Sequence, residues 1–155
     1  MTQEEALFQQ VYEKYGPRLY RFCLLQMKHP ADAEDILQEV FIKRLYQAPR
    51  FRSPEHERNW LFQVALNLCR DEWRRSRRSE LPLEAAEGVL LPEAELSLLE
   101  QVANLPEKQR TVLHLHYYEG YSLQEIAQIL EVSVPTVKMR LKRGREALRK
   151  ECVEL

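Results

Sequence analysis

Apolar residues recur at helical spacing in two stretches of the chain, and a segment rich in proline and glutamate separates them. In the first stretch the spacing predicts four helices, over Glu4 to Tyr15, Pro17 to Lys28, about Ala31 to Gln47 and about Glu57 to Arg75. Gly16 and Pro17 favour a break between the first two, since glycine often follows a helix and proline often begins one. The first half is therefore expected to be all-helical.

The predicted helix from Ala31 has two different faces. Its apolar stripe contains Ala33, Ile36, Leu37 and Val40 at helical spacing. Outside the stripe lie Asp35, Gln38, Glu39 and Ile42, with Leu45 and Tyr46 beyond them. A face that mixes acidic and apolar side chains favours a protein partner, although a neighbouring helix of the same domain could also cover it. The spacing alone leaves both possibilities open.

The predicted helix from Glu57 interleaves aromatic and basic residues. Trp60, Phe62 and Trp73 precede a cluster of arginines that ends at Arg78. Aromatic rings can stack on unpaired bases while arginines follow the phosphates, although Trp60 and Phe62 are more typical of a core. The arginines could simply solubilise a helix end, but a second basic region on the same chain favours DNA contact.

The second stretch predicts a helix-turn-helix. Helices are expected over about Ala94 to Asn104 and over Pro106 to Tyr118, with Gly120 just past the end. Ser122 and Glu125 form an S-x-x-E capping box that opens a short helix, and the turn Glu131-Val132-Ser133 follows. Ser133 can cap a last helix from Val134 to about Lys150. Two short helices with a three-residue turn are the usual form of this motif.

The phase of the last helix separates an apolar face from a basic one. Val134, Val137, Leu141, Gly144 and Leu148 fall on one side, and Pro135, Thr136, Met139, Lys142 and Arg143 fall opposite, flanked by Lys138 and Arg140. The basic face could enter a major groove, with the first residues reading bases and the later ones meeting phosphates. The alternative is an ordinary solvated helix face. Because the capped helix, the turn and the phasing coincide, DNA binding is the favoured interpretation.

The net charge of -1 hides a strong asymmetry along the chain. Residues 138–150 carry seven basic side chains and one acidic one, residues 70–78 carry five arginines, and residues 79–100 carry six glutamates without Lys or Arg. Basic blocks indicate nucleic acid, and the acidic stretch indicates a spacer or a basic partner.

Three widely spaced cysteines without a CxxC pair are typical of free thiols in a reducing compartment. The acidic N-terminus lacks an apolar signal core, and no apolar run approaches the ~18 residues of a membrane span. We therefore expect a cytoplasmic protein without membrane insertion.

An enzyme is disfavoured. His114 and His116 are two residues apart, so they do not share a helix face and make a poor metal pair. The sequence has no Gly-rich phosphate loop and no nucleophile motif. Neither catalytic residues nor a metal or cofactor is expected.

Three segments together carry a family resemblance. DAEDILQEVFIKRLYQ (32–47), NWLFQVALNLCRDEWRR (59–75) and LPEKQRTVLHLHYYEGYSLQEIAQILEVSVPTVKMRLKRGREALRK (105–150) resemble the two domains of bacterial sigma factors of the extracytoplasmic-function (ECF) group. The resemblance implies an all-α chain with sigma domain 2 over 1–78, a flexible acidic linker over 79–94 and sigma domain 4 over 95–155. It implies a protein that directs RNA polymerase to promoters.

The resemblance also implies a role for each surface. Asp35, Gln38, Glu39 and Ile42 would dock on the clamp of core RNA polymerase, and the second domain would meet the flap. The promoter -10 element would be held by Arg50, Phe51, Arg52, Ser53, Asn67, Arg70, Arg74 and Arg75. The -35 element would be read by Pro135, Thr136, Lys138, Met139, Arg140 and Arg143. An anti-sigma factor is a further implied partner, and the linker would thread toward the polymerase active site.

The chain departs from the family pattern at three positions. Leu66 stands where a basic residue is frequent, which weakens a DNA role there. Glu131 replaces a frequent turn glycine, and Met139 replaces a small or polar residue, so the promoter sequence cannot be inherited from a relative. An ordinary operator-binding regulator is the rival interpretation, but it would leave the first half of the chain unexplained.

Overall fold

The computed structural model describes residues 2–76 and 100–153, with side chains at 2–75 and 100–149. The chain divides into two compact units, Met1–Glu80 and Leu81–Leu155. All regular elements of the described residues are helices, which confirms the predicted all-α class. The expected linker, residues 79–94, lies outside the described residues.

Unit 1 is a bundle of three helices: α1 (Gln3–Met27), α2 (Pro30–Tyr46) and α3 (Pro54–Ser76). Each helix packs against the other two. Leu19 and Phe22 of α1 and Leu61 and Phe62 of α3 are buried in the core of unit 1. The rings of Phe22 and Phe62 lie edge to face with centroids 5.4 Å apart. This packing fixes the orientation of the outer helix faces described below.

The predicted break at Gly16 is wrong, because α1 runs without interruption through Gly16 and Pro17. A proline inside a helix costs about 3 kcal/mol, since it removes one backbone hydrogen bond. Tyr15 and Leu19, on either side of the pair, are both buried. Burial of residues on both sides of Pro17 offsets its local cost, as tertiary packing usually does.

Helix α3 begins at Pro54, three residues earlier than predicted. The Ser53 hydroxyl accepts a hydrogen bond from the His56 backbone N–H at 3.1 Å and so caps the first turn. Proline is well suited to the first helical position because its missing N–H would have no partner there. The loop that joins α2 to α3 is consequently short and held at its end.

Unit 2 contains α4 (Glu107–Leu113), α5 (Leu123–Leu130) and α6 (Val134–Val153), and both α4 and α5 pack on α6. Helix α4 continues directly into a π-helical turn, His114–Tyr118, where a regular helix end was predicted. Of the helix predicted over 94–104, residues 94–99 lie outside the described residues and 100–103 are helical. Gly120 follows the π turn with a positive φ of 75°, as expected for a residue after a helix end.

The two caps predicted for the helix-turn-helix are confirmed. Ser122 and Glu125 exchange side-chain-to-backbone hydrogen bonds of 2.9 and 3.1 Å at the start of α5. Ser133 accepts a hydrogen bond from the Thr136 N–H at 3.3 Å at the start of α6. Between them, Glu131 adopts the left-handed conformation with φ 57°. These local interactions set the angle at which α6 leaves α5.

Candidate nucleic-acid interface

Helix α6 presents the basic face that its sequence predicts. Val137 and Leu141 are buried on the inner side together with Gly144. On the outer side, Pro135, Lys138, Met139 and Arg143 are exposed, whereas Thr136 and Arg140 are half-buried. The six predicted -35 residues therefore lie on one continuous surface around the first half of the helix.

Gly144 allows α6 to cross α4 closely. A Cβ atom at this position would lie 2.8 Å from Leu113 Cδ1 and 3.3 Å from Gln109 Cβ. Contacts this short are not tolerated without movement of a neighbour. The missing side chain therefore helps to hold the basic face of α6 in a fixed orientation on unit 2.

The Thr136 hydroxyl is already engaged in the free protein. Its Oγ1 lies 2.8 Å from Ser133 Oγ, so the two hydroxyls share a hydrogen bond at the N-terminal end of α6. To contact a base, the Thr136 hydroxyl must either give up its hydrogen bond to Ser133 or form a further hydrogen bond in addition to it.

Helix α2 exposes the mixed face that the sequence predicts. Asp35, Gln38 and Glu39 are exposed, and Ile42 is 56% exposed. Leu45 and Tyr46 continue the apolar part with exposures of 54% and 77%. Within residues 2–75 no neighbouring helix of the same unit covers these side chains, so the alternative interpretation of the sequence does not apply there. We call the surface formed by Asp35, Gln38, Glu39 and Ile42 the α2 outer face.

An arginine braces the loop between α2 and α3. Arg44 binds the Glu57 carboxylate through Nε at 3.0 Å and through a terminal nitrogen at 2.9 Å. Its guanidinium also lies over the Phe51 ring, 5.1 Å from the centroid. The same ring meets His56 and Trp60 edge to face at 5.3 and 5.7 Å. Arg50 and Arg52 are exposed on either side of this fixed ring.

Helix α3 carries the remaining predicted -10 residues on its outer side. Asn67, Arg74 and Arg75 are exposed and Arg70 is half-buried. Arg74 and Arg75 pair with Asp71 and Glu72 at 3.2 and 3.5 Å. Exposed pairs of this kind contribute little to stability, so both guanidinium groups can turn to a phosphate at small cost.

Three other residues of α3 make contacts within unit 1. Leu66 is only 4% exposed, so position 66 serves the core and offers no DNA-facing side chain. Phe62 is also buried, in agreement with the core interpretation. The Trp73 indole donates to the Gln26 backbone oxygen at 3.1 Å and ties α3 to α1. Sequence reasoning grouped Trp73 with the candidate base-stacking rings, whereas here it has a structural contact.

The comparisons with known proteins cover nearly the whole chain. Residues 11–79 match the family model of Sigma-70 region 2, and residues 95–148 match that of Sigma-70, region 4. The ECF RNA polymerase sigma factor SigW of Bacillus subtilis is 33% identical over 98% of this chain and 92% of its own length. SigL of Mycobacterium tuberculosis, of the same group, is 32% identical over the same shares. The chain belongs to the ECF sigma factors. Its function is promoter-directed initiation of transcription by RNA polymerase.

Solved structures agree with this assignment. CnrH, in its complex with the cytosolic domain of CnrY, has a TM-score of 0.71 at 25% identity and covers 97% of this chain and 90% of its own. The sigma factor RpoE of Bartonella quintana, in complex with the anti-sigma factor NepR, has a TM-score of 0.73 at 22% identity, with coverages of 92% and 94%. The second likeness concerns the fold alone.

In this ECF sigma factor the two region matches fall on different units. The region 2 match contains most of α1 and all of α2 and α3, and the region 4 match contains α4, α5 and most of α6. The residues predicted for the -10 element and the α2 outer face therefore lie on unit 1, and the residues predicted for the -35 element lie on unit 2. Within the described residues no group of three or more His, Cys, Asp or Glu side chains could hold a metal ion. In the same residues no helix has the length and apolarity of a membrane span.

Proposed function

We propose that this sigma factor acts through three separate surfaces, and that the α2 outer face is its docking site on the clamp of core RNA polymerase. The observation that carries the proposal is the exposure of this whole face. A helix-turn-helix regulator that needs only DNA has no use for an acidic and apolar surface on a second unit. The mixed character suits a protein partner, in which the apolar centre is buried and the carboxylates steer association.

The proposed domains are sigma domain 2 over 1–78, a linker over 79–94 and sigma domain 4 over 95–155. Domain 4 would also meet the polymerase flap. Two weak contacts on one polymerase reinforce each other, because the linker keeps the second domain at a high effective concentration once the first is bound. The acidic linker is proposed to thread toward the polymerase active site.

The -10 element is the proposed ligand of the α2–α3 loop and of the outer side of α3. Arg50, Phe51, Arg52 and Ser53 would hold an unpaired base, while Asn67, Arg70, Arg74 and Arg75 would follow the separated strand. Extrusion of a base from the stack costs a few kcal/mol. The braced ring of Phe51 supports this role, because a stacking surface that is already ordered loses little entropy on binding.

The -35 element is the proposed ligand of α6. Pro135, Thr136 and Met139 lie near the N-terminal end, where side chains of a recognition helix reach base edges. Lys138, Arg140 and Arg143 would meet the flanking phosphates, which give affinity without sequence preference.

An anti-sigma factor is a further proposed partner. CnrH was solved with the cytosolic domain of CnrY bound and the Bartonella RpoE with the anti-sigma factor NepR, and CnrH is similar to this chain along almost its whole length. The protein would act by binding alone, without catalysis or a cofactor. Because core polymerase and promoter DNA are its partners, its proposed place of action is the cytoplasm.

Reconstitution tests the proposal. The purified chain, combined with core RNA polymerase, is expected to start transcription at specific positions on bacterial genomic DNA, and core polymerase alone is the control. A folded chain that selects no start site, or one that binds an operator tightly as a symmetric dimer without polymerase, would contradict the proposal.

A further inference from the structure

Tyr117 is an exposed aromatic residue of unit 2 that lies outside the surfaces proposed for polymerase and DNA. It belongs to the π-helical turn, and 55% of its side chain is exposed. Its hydroxyl accepts a hydrogen bond of 2.8 Å from a terminal nitrogen of Arg145, an exposed residue in the second half of α6. We propose that Tyr117 and Arg145 together bind one phosphate of the promoter duplex beside the -35 element. The inference rests on the proposed function and adds a contact outside the predicted -35 residues.

The π-helical turn determines where the Tyr117 hydroxyl lies. The Tyr117 ring meets the His116 ring edge to face, with the centroids 4.8 Å apart. His116 is itself held in place, since its Nδ1 atom lies 2.8 Å from the backbone oxygen of Tyr121. Wider helical turns of this kind often occur at functional sites. The Tyr117 ring is therefore supported on one side although it is exposed, and its hydroxyl is directed to Arg145.

The two side chains together offer several hydrogen-bond donors to an anion. A guanidinium group carries five N–H donors, and the bond to Tyr117 uses one of them. A tyrosine hydroxyl that accepts a hydrogen bond can still donate its own proton. Because it accepts from a cation, the hydroxyl is polarised and donates more strongly. Arg145 and Tyr117 can thus both donate to the oxygens of one phosphate, an anion whose geometry matches the planar guanidinium.

The positive charge of Arg145 is not neutralised by its partner. Among the described residues the Tyr117 hydroxyl is the one group that bonds Arg145, and this group is neutral. Arg74 and Arg75 on α3, in contrast, each lie beside a carboxylate. A guanidinium that a neutral group holds in place keeps its charge for a ligand and loses little side-chain entropy when the ligand binds. Such a group suits an anion that reaches it at a fixed position.

The cations around Arg145 favour DNA over an acidic protein as the source of this anion. Lys138, Lys142, Arg145 and Arg149 follow one another at intervals of four, three and four residues, so they form one row along α6, and all four are exposed. The row begins at Lys138, a predicted -35 residue, and Arg145 lies about 10 Å farther along the helix. Phosphates recur about every 3.4 Å along each strand of a duplex. A row of cations that starts at the -35 element can therefore continue along the phosphates beside it.

The test uses holoenzyme made from the full chain and core polymerase, and duplex promoters selected with the wild-type holoenzyme. The substitutions are Arg145→Ala and Tyr117→Phe, of which the second removes only the hydroxyl. The matched controls are Lys108→Ala, at an exposed cation of α4, and Tyr12→Phe, at an exposed tyrosine of unit 1. Affinity for the duplex is measured over a range of salt concentrations. Each phosphate beside the -35 element is then replaced in turn by an uncharged methylphosphonate.

Arg145→Ala should lower affinity for the duplex about tenfold, since one charge-assisted contact is lost. The slope of log affinity against log salt concentration should become shallower by about one, because one phosphate fewer is neutralised. Tyr117→Phe should lower affinity about threefold and leave the slope unchanged, because the hydroxyl is uncharged. Neither substitution should alter the base preference at any -35 position, since a phosphate carries no sequence information.

The methylphosphonate series identifies the phosphate itself. At one position the replacement should weaken binding of the wild-type holoenzyme about tenfold, and the same replacement should change binding of the Arg145→Ala holoenzyme less than about twofold. The double variant should lose less affinity than the product of the two single losses, because both groups bind the same phosphate. Lys108→Ala and Tyr12→Phe should behave as the wild type. A merely structural role of Arg145 would weaken binding without removing the sensitivity to one particular phosphate.

The inference is overturned if the Arg145→Ala holoenzyme is sensitive to the same phosphates as the wild type. It is also overturned if the two substitutions weaken assembly with core polymerase and leave DNA affinity unchanged, since the pair would then bind a protein. Both results would leave the proposed function intact, because the wild-type holoenzyme would still select promoters. If the wild-type holoenzyme selects no promoter, the proposed function is overturned, and the phosphate contact falls with it.

Discussion

Two residues that are not glycine adopt the left-handed backbone conformation, Lys28 with φ 66° and Glu131 with φ 57°. Both end a helix, α1 and α5, where glycine is usual because its missing Cβ removes the steric penalty. Lys28 is almost fully buried, so its packing contributes to holding it there. Glu131 is exposed, so it lacks the packing that offsets the backbone strain at Lys28.

We therefore expect Glu131→Gly to raise the free energy of unfolding of unit 2 by about 1 kcal/mol. Urea unfolding followed by circular dichroism measures the change. The control is Gln128→Gly at an exposed position inside α5, which should lower stability by about 1 kcal/mol. Equal losses in both variants would show that the left-handed turn is not strained.

Gly144 and Gly16 differ in the space available for a side chain. A Cβ at Gly144 meets Leu113 at 2.8 Å, whereas the nearest atom for a Cβ at Gly16 lies 3.8 Å away in the Tyr12 ring. Gly144→Ala should therefore destabilise unit 2 by about 1–3 kcal/mol and weaken -35 binding, since α6 must shift. Gly16→Ala should be neutral or stabilise α1 by up to about 1 kcal/mol. Thermal unfolding and duplex binding test both, and an unchanged Gly144→Ala protein would contradict the close crossing.

Cys23 and Cys69 form a buried thiol pair between α1 and α3. The hydrogen bond to Cys69 and burial raise the pKa of the Cys23 thiol well above its ordinary value. Because the native state favours the protonated Cys23 thiol, this thiol stabilises the fold fully at pH values below its pKa in the unfolded chain, about 8.5. That stabilisation is lost as the pH rises from there through the raised native pKa.

Alkylation with iodoacetamide at about pH 8.5 should modify Cys23 and Cys69 at least tenfold more slowly in the native chain than in urea, because both thiols are buried and the reagent cannot reach them in the native chain. Mass spectrometry of peptides gives the rates. Rapid labelling of both thiols in the native chain would show that the core of unit 1 opens easily.

At the scale of helices, the sequence predicted correctly those features that depend on residues close together in the chain. The capping box of α5, the cap of α6 and the phase of α6 all follow from residues within one or two turns. The continuity of α1 through Gly16 and Pro17 depends instead on tertiary packing, since Tyr15 and Leu19, on either side of the pair, are buried in unit 1. No pattern within α1 reports that contact.

The π-helical turn shows a second limit of local patterns. His114–Tyr118 holds one residue more per hydrogen-bonded turn, as the bond from Glu119 N–H to His114 O at 3.1 Å shows. The wider turn brings His114 Nε2 to 3.4 Å from a Glu119 carboxylate oxygen, with both side chains buried. A polar pair in the interior of unit 2 is a tertiary contact, and apolar periodicity cannot predict it.

The α2 outer face was predicted because exposure and character both follow from the phase of a single helix. Its role leads to a prediction by charge reversal. Glu39→Lys should weaken binding to core polymerase at least tenfold, since it places a cation within the proposed interface. Glu34→Lys is the control: it makes the same change of charge on α2, but Glu34 lies toward Tyr20 of α1. Affinity is measured by fluorescence titration of the labelled chain with core polymerase. Equal losses of affinity in the two variants would show that the charge of α2 as a whole, and not the α2 outer face, determines binding.

At the scale of the whole molecule, a cleft of about 450 Å³ between the first half of α1 and the loop before α3 shows what sequence reasoning missed. Gln10 and Lys14 lie more than thirty residues from the loop that completes the cleft with them. Their spacing on α1 is that of any amphipathic helix, so only the packing of α1 against the start of α3 brings them to the loop. The -10 residues of the loop and of α3 were named because the family resemblance covers them, and α1 carried no such motif.

The two-unit organisation leads to a last prediction, on the linker over 79–94. If its role is to keep the second domain near a polymerase already bound by the first, length matters more than composition. Doubling it with a Gly/Ser insertion should lower affinity for core polymerase about threefold, because effective concentration falls as about the -3/2 power of length. Replacement by Gly/Ser of equal length should leave core affinity unchanged, and binding of the free chain to -35 duplex DNA should be unaffected by either. A large loss with the equal-length replacement would mean that the glutamates themselves contact polymerase, and tethering alone would then be insufficient to explain how the units act together.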